Sequence, residues 1–291
     1  MCTDISGNKQ VLGVYISGYH ITTLVVDLET GDTLRSSYQR VPVNSRGTAN
    51  DIIDTCSAVI QKALTENKID RVGIAMPGPF DYEQGISYIR NNKKHEALYG
   101  LNVKQLLAEK LNIATDQVCM INDAAAFLKG EVFAGVAKGH NSIIGLTLGT
   151  GLGTAKLKDG VAEDASLWNM PFLDSVAEDY LSERWFLKRY YELSGINVVN
   201  VNELASFYSG SSTVKSVFKE FACNLANFTA NFAHATQPEM VVLSGDISRS
   251  GDCFLTAYKT QLAKVGLEDL PVCVSKLNSE AVMVGAATCW L

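Results

Sequence analysis

Ile143-Ile144-Gly145-Leu146-Thr147-Leu148-Gly149-Thr150-Gly151-Leu152-Gly153-Thr154-Ala155-Lys156-Leu157-Lys158-Asp159-Gly160 is the stretch on which the reading of this chain turns. An apolar run predicts a buried strand, the glycines predict a turn, and a second strand ends in the turn signal Lys158-Asp159-Gly160. Glycine at 149, 151 and 153 lets backbone N–H groups turn outward without a Cβ in the way, a nest suited to phosphate. A dinucleotide fingerprint would need glycine at 154 and a helix behind it; here 154 is Thr and the following residues alternate like a strand. The expected element is a phosphate-binding β-hairpin.

The same logic opens the chain. Gly13-Val14-Tyr15-Ile16-Ser17-Gly18 parallels Gly145 to Gly151: a strand, a glycine turn and another strand, with an acid-and-glycine turn later, here Glu29-Thr30-Gly31-Asp32. Strands are expected at Val11–Ser17, His20–Leu28 and near Leu34–Val43. From Asn50, read as the N-cap, the period changes, and Ile52, Ile53, Cys56, Val59, Ile60, Ala63 and Leu64 fall on one helical stripe. A short strand at Arg71–Ala75 stops at Met76-Pro77-Gly78-Pro79. A helix over Val103–Leu111, a strand over Gln117–Ile121 and an alanine-rich helix over Ala124–Ala134 follow. In the second half helices are expected at about Ser175–Ser194 and Thr213–Ala235. A strand at Met240–Leu243, the turn Ser244-Gly245-Asp246, a helix, a strand near Val272 and a last helix from about Ser279 complete the pattern. Two meanders, each feeding β/α units, predict a duplicated α/β fold of two domains with a ligand cleft between them.

With 291 residues, 47% hydrophobic and 19% charged, the chain is long enough for two packed domains. A net charge of −6 with scattered lysines and arginines argues against a nucleic-acid partner. No apolar run approaches a membrane span and the start lacks a signal-peptide pattern, so a cytoplasmic protein with no membrane partner is expected. Seven widely spaced cysteines, odd in number and without a CxxC pair, read as buried free thiols. The four histidines are isolated from one another and read as surface or packed residues. The aromatic set Trp185, Phe186, Tyr190, Tyr191 reads as core or dimer packing.

Four segments, Met76-Pro77-Gly78-Pro79, Asn122-Asp123-Ala124-Ala125-Ala126, Leu148-Gly149-Thr150-Gly151-Leu152-Gly153 and Leu243-Ser244-Gly245-Asp246-Ile247-Ser248, stand in an order and spacing that resembles the ROK family. These are sugar kinases and regulators of the actin-like ATPase superfamily, and the resemblance covers nearly the whole chain. It implies a duplicated actin-like (ribonuclease H-like) α/β fold. Residues 1–128 would form the N-terminal domain, rejoined by the C-terminal helix 278–291, and 129–277 a larger second domain. It also implies ATP, Mg²⁺, a sugar substrate and a homodimer.

Carried onto this chain, the resemblance makes Asp123 the carboxylate that takes the proton from the sugar hydroxyl attacking the ATP γ-phosphate. That chemistry is reasonable in itself, because phosphoryl transfer needs a positioned nucleophile and a base beside it. An Asp where a strand ends and a helix begins sits at a helix N-terminus, which favours the ionised form. The same Asp also suits a plain helix N-cap. Asn122 would hold a neighbouring sugar hydroxyl. Gly149, Thr150 and Gly151 match the family's ATP phosphate loop, Gly18 the first phosphate loop, and Gly245 an adenosine contact, although Gly245 also suits an ordinary turn. Glu178 aligns with a sugar-binding glutamate or is an exposed acid in a first helical turn. Gly78 belongs to the Pro-Gly-Pro loop, and Asn91 or Asn92 matches a sugar-binding Asn beyond it.

Two segments depart from the family. Where its kinases open with Asp-Ile-Gly-Gly-Thr, this chain has Tyr15-Ile16-Ser17-Gly18-Tyr19. The acid that helps hold magnesium is gone and an aromatic crowds the turn. The Glu-x-Gly-His element, whose His begins a zinc site, corresponds to Asp164-Ala165-Ser166-Leu167-Trp168-Asn169-Met170-Pro171. Without His or Cys there, zinc is not expected; Asn169 and Trp168 remain candidate sugar contacts, and Glu163 or Asp164 candidate replacements for the acid. A kinase acting on a hexose or related sugar is the first expectation, and a catalytically weak or silent sugar or nucleotide binder the second. A repressor would carry a helix-turn-helix ahead of the core, which opens here near Lys9, so none is expected.

Overall fold

The computed structural model describes residues 9–90 and 94–291. They divide into two compact units, one made of the chain up to Gly135 together with Glu280–Leu291, the other of Val136–Ser279.

In the first unit, strands β1 (Gln10–Ile16), β2 (His20–Asp27) and β3 (Thr33–Pro42) form the expected meander. Helix α1 (Ala49–Asn67) buries the expected stripe from Ile52 to Leu64. Its N-cap is Thr48 and not Asn50. The Thr48 hydroxyl accepts from the Asp51 N–H while the Asp51 carboxylate accepts from the Thr48 N–H, and this reciprocal pair satisfies two otherwise orphaned donors. Strand β4 (Val72–Met76) leads to a small hairpin, β5 (Phe80–Asp81) with β6 (Ile86–Ser87), which periodicity over so few residues could not announce. Helix α2 (Val103–Leu111), strand β7 (Val118–Asn122) and helix α3 (Asp123–Ala134) follow.

The second unit repeats the plan with β8 (Ser142–Leu148), β9 (Leu152–Lys158) and β10 (Val161–Asp164). A short hairpin, β11 (Pro171–Phe172) with β12 (Ser175–Val176), precedes α4 (Ala177–Tyr180) and α5 (Glu183–Ser194). The single helix expected over Ser175–Ser194 is therefore broken. Ser182 is extended (φ −127°, ψ 165°), which frees the Glu183 N–H to donate to the Gly149 carbonyl at 2.8 Å. A further helix, α6 (Val201–Ser206), precedes α7 (Ser212–Thr236), β13 (Met240–Ser244), α8 (Leu255–Lys264) and β14 (Val272–Val274). Trp185, Phe186 and Tyr190 of α5 are buried against α7, with the Phe186 and Phe221 rings 4.5 Å apart, whereas Tyr191 is half exposed.

Both five-stranded sheets have one topology, β3-β2-β1-β4-β7 and β10-β9-β8-β13-β14. Three antiparallel strands are continued by two parallel ones in each. The duplicated α/β architecture is thus present at the level of hydrogen-bonded strand order. The two glycine turns occupy equivalent places, Ser17–Tyr19 inside the β1–β2 pair and Gly149–Gly151 inside the β8–β9 pair.

Helix α9 (Glu280–Ala287) returns to the first unit and lies backbone to backbone on its neighbours. A Cβ at Gly13, Gly73 or Gly130 would run into the carbonyls of Met283, Ala286 and Ala281 respectively, and one at Gly285 into that of Ala126. Among the described residues no helix is long and apolar enough to cross a membrane. Of the described cysteines, all free, only Cys56 is fully buried; Cys119, Cys223, Cys253, Cys273 and Cys289 are half-buried.

Candidate active site

Strands β1, β4 and β7 run parallel to one another in register, Tyr15 opposite Ala75 and Ala75 opposite Ile121, so their carboxyl ends share one edge of the first sheet. Ligand sites of open α/β sheets form at such an edge. Asn122 closes β7 and is the true N-cap of α3, its Oδ1 accepting from the N–H groups of Ala124 (2.8 Å) and Ala125 (3.1 Å). The cap role is therefore taken by Asn122, and Asp123 is the first helical residue. Its Oδ1 accepts from the Ala124 N–H at 3.0 Å and its Oδ2 from the Tyr15 hydroxyl at 3.3 Å. Burial, then the Asp123 charge and the hydrogen bond to it, hold the Tyr15 phenol well above its ordinary range, so it is a neutral donor at any physiological pH.

The Asn122 amide donates to the Tyr82 hydroxyl (3.2 Å), which itself donates to the Met76 carbonyl (2.9 Å). A Cβ at Gly78, whose bond to Pro79 is cis, would sit 3.1 Å from the Tyr82 oxygen. Gly78 and Asn122 thus meet at Tyr82, a residue that its sequence neighbours did not single out, with Asp123 next to Asn122 in the chain. Asn91 and Asn92 lie outside the described residues.

The first loop has its own hydrogen-bond economy. Ser17 Oγ accepts from the N–H groups of Tyr19 (3.3 Å) and His20 (3.1 Å), a local turn that uses amides otherwise available to a ligand. The Ser17 carbonyl is held by His95 Nε2 (2.9 Å), the Gly18 carbonyl by Ser45 Oγ (2.6 Å) and the Tyr19 carbonyl by the Val43 N–H (2.8 Å). Lys94 lies along Gly18 and ends with its ammonium 4.1 Å from the centre of the Tyr19 ring. Burial pushes the His95 imidazole down, so the positive charge at this turn belongs to Lys94.

In the second unit the glycine turn is closed by a bond from the Gly149 N–H to the Gly151 carbonyl (3.1 Å). Among the described residues no hydrogen bond takes up the N–H groups of Thr150 and Gly151, which suits the anion nest expected there. Glu178 lies against this turn, its Oε2 accepting from the Leu152 N–H at 3.1 Å and its other oxygen 3.7 Å from Arg184. Gly245 has φ +92°, and a Cβ there would strike the Leu148 backbone, so the turn after β13 abuts the end of β8 beside Gly149. A cavity of about 540 Å³ flanks Thr150, bordered by Glu183, Arg184, Lys188 and Asn197 and by the apolar Leu187, Tyr191 and Val198. Its mixed lining of charged, amide and apolar groups suits a ligand with both polar and apolar parts, with Arg184 and Lys188 shared with neighbouring carboxylates.

The segment carrying Asn169 and Trp168 is a single exposed turn of 3₁₀ helix, tied to β9 by the Leu167 N–H on Thr154 Oγ1 (2.9 Å). Its C-terminal end meets α4 through the Ala177 N–H on the Met170 carbonyl (3.0 Å), so Asn169 and Glu178 belong to one neighbourhood. Of the candidate replacement acids, Glu163 pairs with Lys156 (3.2 Å) and Asp164 accepts from the Ser166 N–H (2.7 Å).

The first loop does not fit the magnesium ion that the family resemblance implies. That ion takes carboxylate and phosphate oxygens, whereas the turn presents a neutral phenol at 15, a hydroxyl occupied at 17 and an ammonium from 94. For zinc, no group of three or more His, Cys, Asp or Glu side chains lies together among the described residues. Elemental analysis of the purified protein is therefore expected to give far less than one zinc per chain; a value near one would mean that ligands come together in a way this donor set does not suggest.

The ROK family model matches residues 11–163 and 176–291. The chain is 24% identical over 317 aligned positions to a glucokinase of Thermotoga maritima, covering 96% of each protein. It is 25% identical over 268 to a xylose repressor of Caldicellulosiruptor bescii, covering 80% of this chain and 66% of the repressor. Its fold matches the crystal structure of a ROK family glucokinase from Streptomyces griseus in complex with glucose and AMPPNP, with a TM-score of 0.78, 22% identity and coverage of 96% and 98%. The architecture is therefore the duplicated actin-like one.

Proposed function

The chain belongs to the ROK family, and on that premise we propose that it is a sugar kinase, moving the γ-phosphate of ATP to a hydroxyl of a hexose or related sugar. The observation that carries this reading is the setting of Asp123: a carboxylate at the shared strand edge, at the head of α3, beside the Asn122–Tyr82 pair. A sugar presents adjacent hydroxyls, each both donor and acceptor. Asn122, Tyr82 and the backbone at Gly78 would hold them while Asp123 accepts the proton of the attacking one. The open N–H groups at Thr150 and Gly151 and the adjoining cavity would hold the nucleotide, with Gly245 packed behind the loop. Glu178, at the same loop, would release the Leu152 amide to bind a sugar hydroxyl, with Asn169 beside it.

A specific observation favours a second reading, a weak or silent binder of sugar or nucleotide. The Tyr15 phenol donates to Asp123, the carboxylate that would have to accept from a substrate hydroxyl. A coupled ADP-release assay across a panel of sugars, with ATP and magnesium, tests the two. Sugar-dependent ADP release supports the kinase; silence toward every sugar, with calorimetric binding of one of them, supports the binder.

Tyr15→Phe bears on the same point. Removing the phenolic proton takes away one donor that competes with substrate for Asp123, at the cost of one long hydrogen bond worth about 1 kcal/mol of stability. Turnover is expected to rise severalfold with KM little changed. A fall in turnover would mean that the phenol positions the base.

A further inference from the structure

We propose that Lys94 makes the first loop a metal-independent anion site, which holds a terminal phosphate group through the ammonium group where the relatives' pattern has a metal-holding carboxylate. The inference rests on the nucleotide and sugar reading above for the existence of a phosphate-bearing ligand, and it is tested apart from turnover.

Geometry comes first. The Lys94 side chain runs directly over Gly18: a Cβ there would lie 2.5 Å from Lys94 Cδ and 3.1 Å from Nζ. Glycine at 18 thus makes room for the lysine and not only for a turn. Beyond it the ammonium rests on the face of Tyr19, whose ring is half exposed and provides a platform. The aromatic that replaces the family's small hydroxyl residue therefore has a partner. The next residue anchors the arrangement, because His95 is fully buried, its N–H donates to the Ser45 carbonyl (2.7 Å) and its Nε2 holds the Ser17 carbonyl. Ser45 in turn holds the Gly18 carbonyl. Segment 94–95 and loop 17–19 are clamped together from both sides.

Charge comes second. Among the described residues Lys94 has no ion pair, as is true of most lysines here, but its ammonium is also placed, over Gly18 and against the Tyr19 ring. An ammonium held in place with no carboxylate partner, beside a turn whose amides at 19 and 20 are occupied by Ser17 Oγ, leaves the lysine as the charged anion-binding group of the loop. A divalent cation at the same turn would be repelled by it. The changes at 15, 17 and 19, which read separately as losses, fit one substitution of chemistry: metal and backbone donors exchanged for a lysine point charge.

Two phosphate-bearing probes separate the sources of such an anion, ATP and glucose 6-phosphate. Each is titrated calorimetrically in EDTA and again with excess magnesium, into wild type, Lys94→Met and Lys94→Arg. At least one probe is expected to bind wild type in EDTA, to weaken tenfold or more in Lys94→Met, and to stay within about threefold in Lys94→Arg, since the charge persists. Binding of ATP alone identifies a nucleotide phosphate, and binding of the sugar phosphate alone a product-like ligand. The proposal is overturned if neither probe binds in EDTA, if binding appears only with magnesium, or if Lys94→Met binds as well as wild type. A silent sugar panel with intact, Lys94-dependent binding in EDTA would sink the kinase reading and leave this one standing.

Discussion

Asp123→Asn is expected to lower sugar-dependent ADP release by about 10²–10⁴-fold, the usual worth of a positioned general base, with little change in stability. The amide keeps the shape of the carboxylate: its oxygen can accept from the Ala124 N–H, and its NH2 then faces the Tyr15 hydroxyl, whose oxygen can accept in turn. It cannot take the proton of the attacking hydroxyl. The cap of α3 is untouched, because the N-cap acceptor is Asn122 and not Asp123. The folding and catalytic consequences are therefore separable at this position: melting temperature and circular dichroism should match wild type while turnover falls. Retention of wild-type turnover would remove Asp123 from the role of base. The neighbouring change Asn122→Ala is a useful contrast, since it takes the cap acceptor from the amide at 125, leaves that at 124 only Asp123 Oδ1, and should cost about 1 kcal/mol in stability as well as sugar affinity.

Much of this site is legible in the chain because its parts are local. A strand that ends in Asn-Asp before an alanine-rich helix places both side chains at a strand edge without tertiary information. The alternation on either side of Gly149–Gly151 likewise defines the β8–β9 hairpin. What stays hidden is made by contact between distant segments. His95 reaches Ser17 across 78 residues, and nothing about Lys94-His95 in a polar loop signals that it will cover Gly18 and Tyr19. Tyr82 is similar, for it matters only because a small hairpin brings its hydroxyl to Asn122. Tyr15 and Tyr19 read as losses in sequence because the partners that use them, Asp123 and Lys94, are not their neighbours.

The fold divides along the same line. The α1 stripe and the two meanders follow from periodicity, and the N-cap slipped by two residues because Thr48 and Asp51 form a reciprocal pair that outcompetes Asn50. The break between α4 and α5 has a tertiary cause. Periodicity continues through Leu181-Ser182, but the Glu183 N–H finds its acceptor on the glycine turn. Glycines in the apolar segments were equally silent, since Gly130 and Gly285 read as ordinary helix residues of low propensity until the contact between their helices is known.

That contact yields the largest stability effect expected of a single substitution. Gly285→Val puts a branched side chain where a Cβ alone would already overlap the Ala126 carbonyl and sit 2.8 Å from the Gly130 nitrogen. The obstacle is backbone on a helix, not the end of a flexible side chain, so no rotamer change relieves it. Helix α9 would have to lift from α3 and from strands β1 and β4, which it meets as closely through Met283 and Ala286. Overpacking of this kind is expected to cost on the order of 3 kcal/mol or more, a sizeable part of a domain's net stability. Scanning calorimetry should show a fall of roughly 6–12 °C in melting temperature. Gly210→Ala is the matching control, since a Cβ there meets nothing within 4 Å, and it should stay within about 0.5 kcal/mol of wild type. The α9 helix also covers the rear of β1 and β4, the strands whose other ends carry Tyr15 and the Met76-Pro77-Gly78-Pro79 turn. Gly285→Val should therefore weaken sugar and nucleotide binding together, in proportion to the fraction unfolded. A variant that melts normally would show that the helix can shift away from α3 at little cost.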